Sequence, residues 1–142
     1  MMHSTLKRVY MQDPEYEELK RQRLPLLDGI EEFQKQMVHD NDDQCHLYLY
    51  LVNETPIGTA RIRPTPECLK FERVAIHRDW QGKGIGKEMT QKILQNYKND
   101  GRNVVVHAFL HVEGFYTKCG FEVEERLEED GFTLAKMIYS FQ

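Results

Sequence analysis

The chain has 142 residues, of which 30% are charged, and a formal net charge of −4. This length suits one hydrophobic core and excludes two independent ones, so we expect a single domain over residues 1–142. The sequence has no apolar run of about 18 residues, no N-terminal basic-then-apolar stretch and no basic stripe. We therefore expect a soluble cytoplasmic protein without a secretory signal that binds neither membrane nor nucleic acid.

The cysteines, Cys45, Cys68 and Cys119, are widely spaced, and no C-x-x-C pair is present. An odd number at such spacings argues against a disulfide framework and against a zinc site. We expect reduced thiols and no bound metal.

The first half of the chain predicts a strand, two helices and three further strands. Asp13-Pro14 is typical of a helix start, and the helices are separated by a Pro- and Gly-containing break. The predicted segments are a strand at 6–11, a helix at 14–23, a helix through Ile30, Phe33, Gln34 and Met37, a hairpin of strands at 47–52 and 57–63 around residues 53–56, and a fourth strand at 69–77.

The second half predicts a helix, a buried strand and a final hairpin. Apolar residues recur at helical spacing from Ile85, in a helix that ends at the turn 99–101. The apolar strand at 104–106 is typical of a parallel neighbour of the fourth strand, reached by a right-handed crossover. The hairpin pairs residues 121–125 with 132–139, and residues 128–131 lie near its turn. The chain therefore predicts an α/β fold with a mixed sheet.

Residues 81–87, Gln-Gly-Lys-Gly-Ile-Gly-Lys, lie between the fourth strand and the following helix. Glycines at alternate positions let backbone amides approach an anion at a helix N-terminus, where the dipole favours negative charge. The Walker pattern G-x-x-x-x-G-K-S/T fails because Gln81 stands at its first glycine and Glu88 follows the lysine. The dinucleotide fingerprint also fails, since the third glycine comes one residue early. A phosphate cradle and a plain turn remain as alternatives.

Two motifs resemble those of the Gcn5-related N-acetyltransferase (GNAT) family. Residues 81–86 match its pyrophosphate-binding signature Q/R-x-x-G-x-G/A, and residues 115–121 match its F-Y-x-x-x-G-F segment. The resemblance spans residues 16–137 and includes 57–61 and 72–76. It implies a single-domain GNAT fold with a mixed sheet of about six or seven strands, strands four and five splayed apart, and about four flanking helices.

The resemblance also implies an enzyme that uses acetyl-CoA as its cosubstrate, without a metal. It would acetylate a primary amine of a small molecule or peptide by direct attack in a ternary complex. Many members of the family form homodimers, and the resemblance allows one here. The residues implied in binding acetyl-CoA are Val74, Ala75, Ile76, Gln81, Gly82, Lys83, Gly84, Ile85, Gly86 and Lys87.

The resemblance makes Tyr116 the general acid, because a phenol beside the thioester sulfur can protonate the departing thiolate. An ordinary core aromatic is the alternative. Cys119 lies where the family has packing residues, so we expect no covalent intermediate on this thiol.

Three residues are candidates for the general base. Strand alternation puts Glu72 on the same face as Val74 and Ile76, where its carboxylate could accept a proton; a buried ion pair is the alternative. His107 and His111 could relay protons, because imidazole is a common proton acceptor and donor in proteins, with structural hydrogen bonding as their alternative. They lack the glutamate of H-E-x-x-H, which argues against a metal pair.

Departures from the family affect the acceptor. Phe109 and Leu134 stand where many members carry polar residues, so a non-catalytic acyl-CoA-binding module is the alternative function. Acidic residues at 122–130 either attract a cationic amine or form a solvated hairpin. The residues in the region that lines the acceptor pocket of the family are Tyr16, Arg21, Arg23 and Asp43.

Overall fold

The computed structural model describes residues 2–28, 30, 31 and 35–141. Its strands are β1 (Ser4–Val9), β2 (His46–Val52), β3 (Thr55–Pro64), β4 (Cys68–Ile76), β5 (Asn103–Phe109), β6 (Glu122–Glu129) and β7 (Phe132–Tyr139). They form one sheet in the order β1-β2-β3-β4-β5-β7-β6, in which only β4 and β5 are parallel neighbours. The predicted mixed sheet is confirmed.

Three α-helices lie within the described residues: α1 (Glu15–Arg21), α2 (Ile85–Gln95) and α3 (Glu113–Lys118). Helix α2 starts where predicted but ends earlier than the predicted turn at 99–101. It ends there because the amides of Asn96 and Tyr97 bond to carbonyls three residues back, which tightens the last turn. None of the helices in this part of the chain is long and apolar enough to cross a membrane.

The second predicted helix falls partly on residues 32–34, which lie outside the described residues. Downstream of them, Gln36–His39 form a short 3-10 helix, and Asp42–Gln44 form another. Further 3-10 turns at Leu24–Leu27, Arg78–Trp80 and Leu110–Val112 connect the regular elements.

Both predicted hairpins are present with tighter turns than expected. The β2–β3 turn consists of Asn53 and Glu54, and the β6–β7 turn consists of Asp130 and Gly131; all four residues have positive φ angles. Two-residue turns of this kind match the right-handed twist of the paired strands. The strands therefore extend further into the predicted loops, β6 as far as Glu129.

Helices cover both faces of the sheet. Along β2, Tyr48 and Tyr50 point into a core that is completed by α2 and α3, whereas Leu47 and Leu49 point into a second core beside α1. The alternation of buried residues on the two faces explains why β2 is apolar throughout.

The parallel pairing of β4 with β5 is short. It joins Cys68–Lys70 to Asn103–Val105, and no pairing continues beyond these residues within the described chain. The two strands part at this point, as predicted, and leave a gap at the middle of the sheet.

An extra residue in β4 interrupts its alternation. Arg61 of β3 pairs with Glu72, and Thr59 pairs with Ala75, so that β4 advances three residues while β3 advances two. Arg73 occupies this bulge with a left-handed φ of 55°.

The bulge changes the face on which Glu72 lies. Phe71, Val74 and Ile76 pack with the core beside α2 and α3, whereas Glu72 contacts arginines on the opposite face. The prediction that Glu72 shares a face with Val74 and Ile76 is therefore wrong, because simple alternation does not survive an inserted residue.

Candidate active site

The glycine loop leads from the end of β4 into α2. Gly82 and Gly84 have φ angles of 77° and 79°, a region that suits glycine. Gly84 precedes the helix, and within the described part of the chain no side chain caps this helix start. The side-chain amide of Gln81 donates to the carbonyl of Ile76 over 2.9 Å and ties the loop to the strand.

The third glycine of the loop touches the second motif. An ideal Cβ on Gly86 would lie 3.1 Å from the ring of Phe115, tighter than ordinary van der Waals contact. Packing rather than the φ angle therefore favours glycine at this position. The contact brings the loop and α3 together, although about thirty residues separate them in the sequence.

The two lysines of the loop are both exposed. The ammonium group of Lys83 lies 5.3 Å from the ring centre of Trp80, and Lys87 follows on the first turn of α2. Glu88 accepts hydrogen bonds from Ser4 and Tyr50 at 2.8 and 2.6 Å, which fasten the helix to β1 and β2. The loop is therefore attached to β4 through Gln81, and the helix that follows it is attached to β1 and β2 through Glu88, while the two lysines remain in solvent.

Tyr116 lies on α3 and is buried, with 7% of its surface exposed. Its ring packs against Phe71, Phe115 and Phe121 at centroid distances of 6.4, 5.0 and 5.6 Å. Burial raises the pKa of the phenol well above its usual value, and the nearby Cys119 raises it further. The hydroxyl therefore retains its proton and can act only as an acid at neutral pH.

Glu72 is held by two arginines. Arg63 donates to both of its carboxylate oxygens at 3.0 and 3.1 Å, and Arg61 donates to one of them at 3.2 Å. Burial works to raise the pKa of Glu72, but the hydrogen bonds from Arg63 and the charge of Arg61 lower it below its usual value overall. A carboxylate stabilised in this way is a weak base.

A buried ionic network extends from Glu72 towards α1, with Asp42 at its centre. Arg23 donates to both oxygens of Asp42 at 2.8 and 3.0 Å, Arg61 donates to one of them at 2.9 Å, and the hydroxyl of Tyr16 donates at 2.6 Å. The side chains of Arg23 and Asp42 are fully buried. Burial raises the pKa of Asp42, but these donors and charges lower it overall.

The sequence did not single out Asp42 or Arg61. Asp42 stands in a polar run that is typical of a surface turn. In the folded chain it is buried because Arg23 and Arg61 bind its carboxylate. Among the residues predicted near the acceptor, Tyr16 and Arg23 join this network, whereas Arg21 and Asp43 lie at the surface.

His107 lies within β5, two residues before its end, and His111 lies in the 3-10 turn that follows. His107 is partly exposed and its Nδ1 lies 3.9 Å from Glu129. His107 lies two residues beyond Val105, the last β5 residue that is paired with β4, so it borders the gap. His111 is exposed, and its ring stacks on that of Phe109 at 5.9 Å.

The thiol of Cys119 is buried, and burial raises its pKa, which leaves it protonated and poorly nucleophilic. The cysteines at 45, 68 and 119 are all free. No group of three or more His, Cys, Asp or Glu side chains in the described residues is arranged to hold a metal ion.

The sequence profile of a family described as an acetyltransferase (GNAT) domain matches residues 11–141. The chain belongs to the GNAT acetyltransferase family. The expected family and fold are confirmed.

Relatives of this GNAT chain are found by sequence and by structure. The Bacillus subtilis protein YyaT is 30% identical over 92 residues, 63% of this chain and 62% of YyaT, so less than two thirds of that relative is matched. A candidate N-acetyltransferase from Lactobacillus plantarum shares 22% identity over 99% of both chains, with a TM-score of 0.80. A B. subtilis acetyltransferase solved in complex with CoA shares 16% identity over 99% of this chain and all of the other, with a TM-score of 0.76. The two structures show a shared fold.

The residues that depart from the GNAT pattern lie at the end of β5 and on β7. Phe109 is 48% exposed and its ring packs against Phe132 at 5.7 Å. Leu134 of β7 is the register partner of Phe109 and is buried. Phe109, Phe132 and Leu134 thus form an apolar group at the end of β5.

Proposed function

We propose that this GNAT chain transfers the acetyl group of acetyl-CoA to a primary amine by direct attack in a ternary complex. The contact between Gly86 and Phe115 carries the proposal, because it joins an uncapped helix start to the helix that bears Tyr116. The CoA bound to the B. subtilis neighbour supports the choice of cosubstrate.

The chain has groups that fit both ends of this cosubstrate. The amides from Gly82 to Lys87 would hold the pyrophosphate, since their backbone is open and lies at the positive end of α2. Among the residues that the structure describes, no strand pairs with the edge of β4 at Val74–Ile76 on the β5 side, which leaves backbone groups free to bond the pantetheine arm.

In the reaction, the amine nitrogen forms a bond to the thioester carbonyl carbon as the carbon–sulfur bond breaks. Tyr116 would give its proton to the departing thiolate, a role that suits a phenol whose pKa burial has raised. The amine loses one proton, for which His107 beside the gap is the acceptor we propose, directly or through water. Glu72 would act as a counter-ion for Arg61 and Arg63 rather than as the base.

The test is a panel of amines assayed for thiol release that depends on acetyl-CoA. Turnover of at least one amine, with the acetyl group found on nitrogen by mass spectrometry, is the expected result. Tight binding of CoA without turnover of any amine would overturn the proposal and favour a non-catalytic acyl-CoA-binding module.

A further inference from the structure

Arg73 has an unusual position on the strand that borders the gap. It is a non-glycine residue at the bulge of β4 with a φ angle of 55°, one residue before the segment Val74–Ile76. Its guanidinium group points towards the 3-10 helix at 36–39, where it donates to the carbonyls of Val38 and Met37 at 2.9 and 3.5 Å. The bulge thus sends a cation to the same side of the sheet as the network around Asp42.

Arg73 differs from the other arginines of this region in its partners. Arg23, Arg61 and Arg63 each bind a carboxylate oxygen of Asp42 or Glu72. No carboxylate among the described residues lies within ion-pair distance of Arg73, whose recorded partners are backbone carbonyls.

Among the described residues of this region, positive charge therefore exceeds negative charge. Four described arginines stand beside two carboxylates, and Arg73 is half-buried, so solvent screens its charge only in part. Burial and the charge of Arg23 lower the pKa of His39, which favours its neutral form, so this side chain adds little to the positive charge. Burial and the charge of Arg61 lower the pKa of Arg73, and the charges of Glu72 and Asp42 offset this only in part.

We propose that the acceptor amine carries an anionic group, a carboxylate or a phosphate, and that Arg73 binds this group. The inference rests on the proposed acetyl transfer, since it names the class of acceptor used at the same gap. The Nη1 group of Arg73 has no recorded partner in the described residues, and a planar guanidinium is suited to two oxygens of one anion. The surrounding positive charge would also favour the neutral form of the amine, which is the form that attacks.

The experiment compares matched pairs of acceptors that differ in one charge. Free L-amino acids are compared with their carboxamides, and O-phosphoethanolamine is compared with ethanolamine, so the two arms distinguish carboxylate from phosphate. We expect one anionic series to exceed its neutral partners in kcat/KM by about 10- to 100-fold, mainly through a lower KM.

Variants then assign the preference to Arg73. In Arg73→Met the preference should be lost through a higher KM for the anionic acceptor alone, and Arg73→Lys should restore part of it. Arg102→Met is the matched control, because Arg102 binds Asp100 at a turn that precedes β5 and should leave the preference intact. Circular dichroism checks that each variant is folded.

The outcomes separate the two proposals. Turnover with equal kcat/KM for charged and neutral partners, or an equal loss for both in a folded Arg73→Met, would overturn the anionic acceptor and leave acetyl transfer in place. Absence of turnover with every amine would overturn both.

Discussion

The ring of Phe115 lies against Gly86 so closely that an added Cβ would stand 3.1 Å from it. Gly86 belongs to the first turn of α2, and Phe115 precedes Tyr116 on α3. One packing contact therefore sets the distance between the proposed phosphate site and the proposed acid.

Substituting Gly86→Ala should push the Phe115 ring away and destabilise the protein by about 0.5–2 kcal/mol, because overpacking outweighs the gain in helix propensity. Gly114→Ala is the control: an added Cβ there meets nothing within 4 Å, so the helix α3 should gain about 0.5–1 kcal/mol. Urea unfolding measures both. Equal effects of the two substitutions would contradict the packing argument.

Tyr116→Phe should lower kcat by about 100-fold and leave the affinity for CoA nearly unchanged, because only the proton donor is removed. Steady-state kinetics and CoA titration measure these quantities. Tyr97→Phe removes a buried hydroxyl that bonds Tyr48 and His46 at the other end of α2, and it should leave kcat alone. An unchanged kcat in Tyr116→Phe would remove this residue from the mechanism.

Asp42→Asn should destabilise the protein by about 3–5 kcal/mol, since it leaves Arg23 and Arg61 buried without their carboxylate. The neighbouring Asp43→Asn changes the same group at an exposed site and should shift stability by less than about 0.5 kcal/mol. Thermal and urea unfolding compare the pair. A small effect at Asp42 would mean that the network adds little to the fold.

Stability should fall on acidification in two steps. Burial lowers the pKa of His39 and His46 in the folded protein, so the unfolded chain takes up protons first as the pH drops below about 6.5. The lowered pKa values of Asp42 and Glu72 stabilise the fold above about pH 4, and this stabilisation is lost at lower pH. Urea unfolding from pH 8 to 3 tests both steps, and His39→Gln/His46→Gln should abolish only the first.

Cys119→Ala should retain acetyl transfer and lose roughly 1 kcal/mol of stability, because the thiol is a packing group with a raised pKa. The less buried Cys68→Ala serves as the comparison. Loss of turnover in Cys119→Ala, together with an acetylated thiol in the wild-type protein, would indicate a covalent intermediate instead.

Local chemistry explains which parts of the fold could be predicted. The glycine loop, the amphipathic helix from Ile85 and the apolar strand at 104–106 depend on neighbouring residues, and their positions agree with the structure. The parting of β4 from β5 followed from the family resemblance.

The remaining features depend on contacts between distant segments. A bulge at Arg73 adds one residue to β4, and nothing in the alternation of residues 69–77 reveals it. Asp42 becomes a central residue only because Arg23 and Arg61, from two other segments, reach it in the folded chain. Sequence spacing cannot distinguish this buried carboxylate from the exposed Asp43 beside it.

Strand β6 lies at one edge of the sheet, and five of its eight residues are glutamates. An open strand edge has unpaired backbone groups that can join another sheet, and like charges along two such edges repel each other. The negative charge of β6 therefore opposes edge-to-edge aggregation of the folded protein, whether or not the hairpin also attracts the acceptor amine.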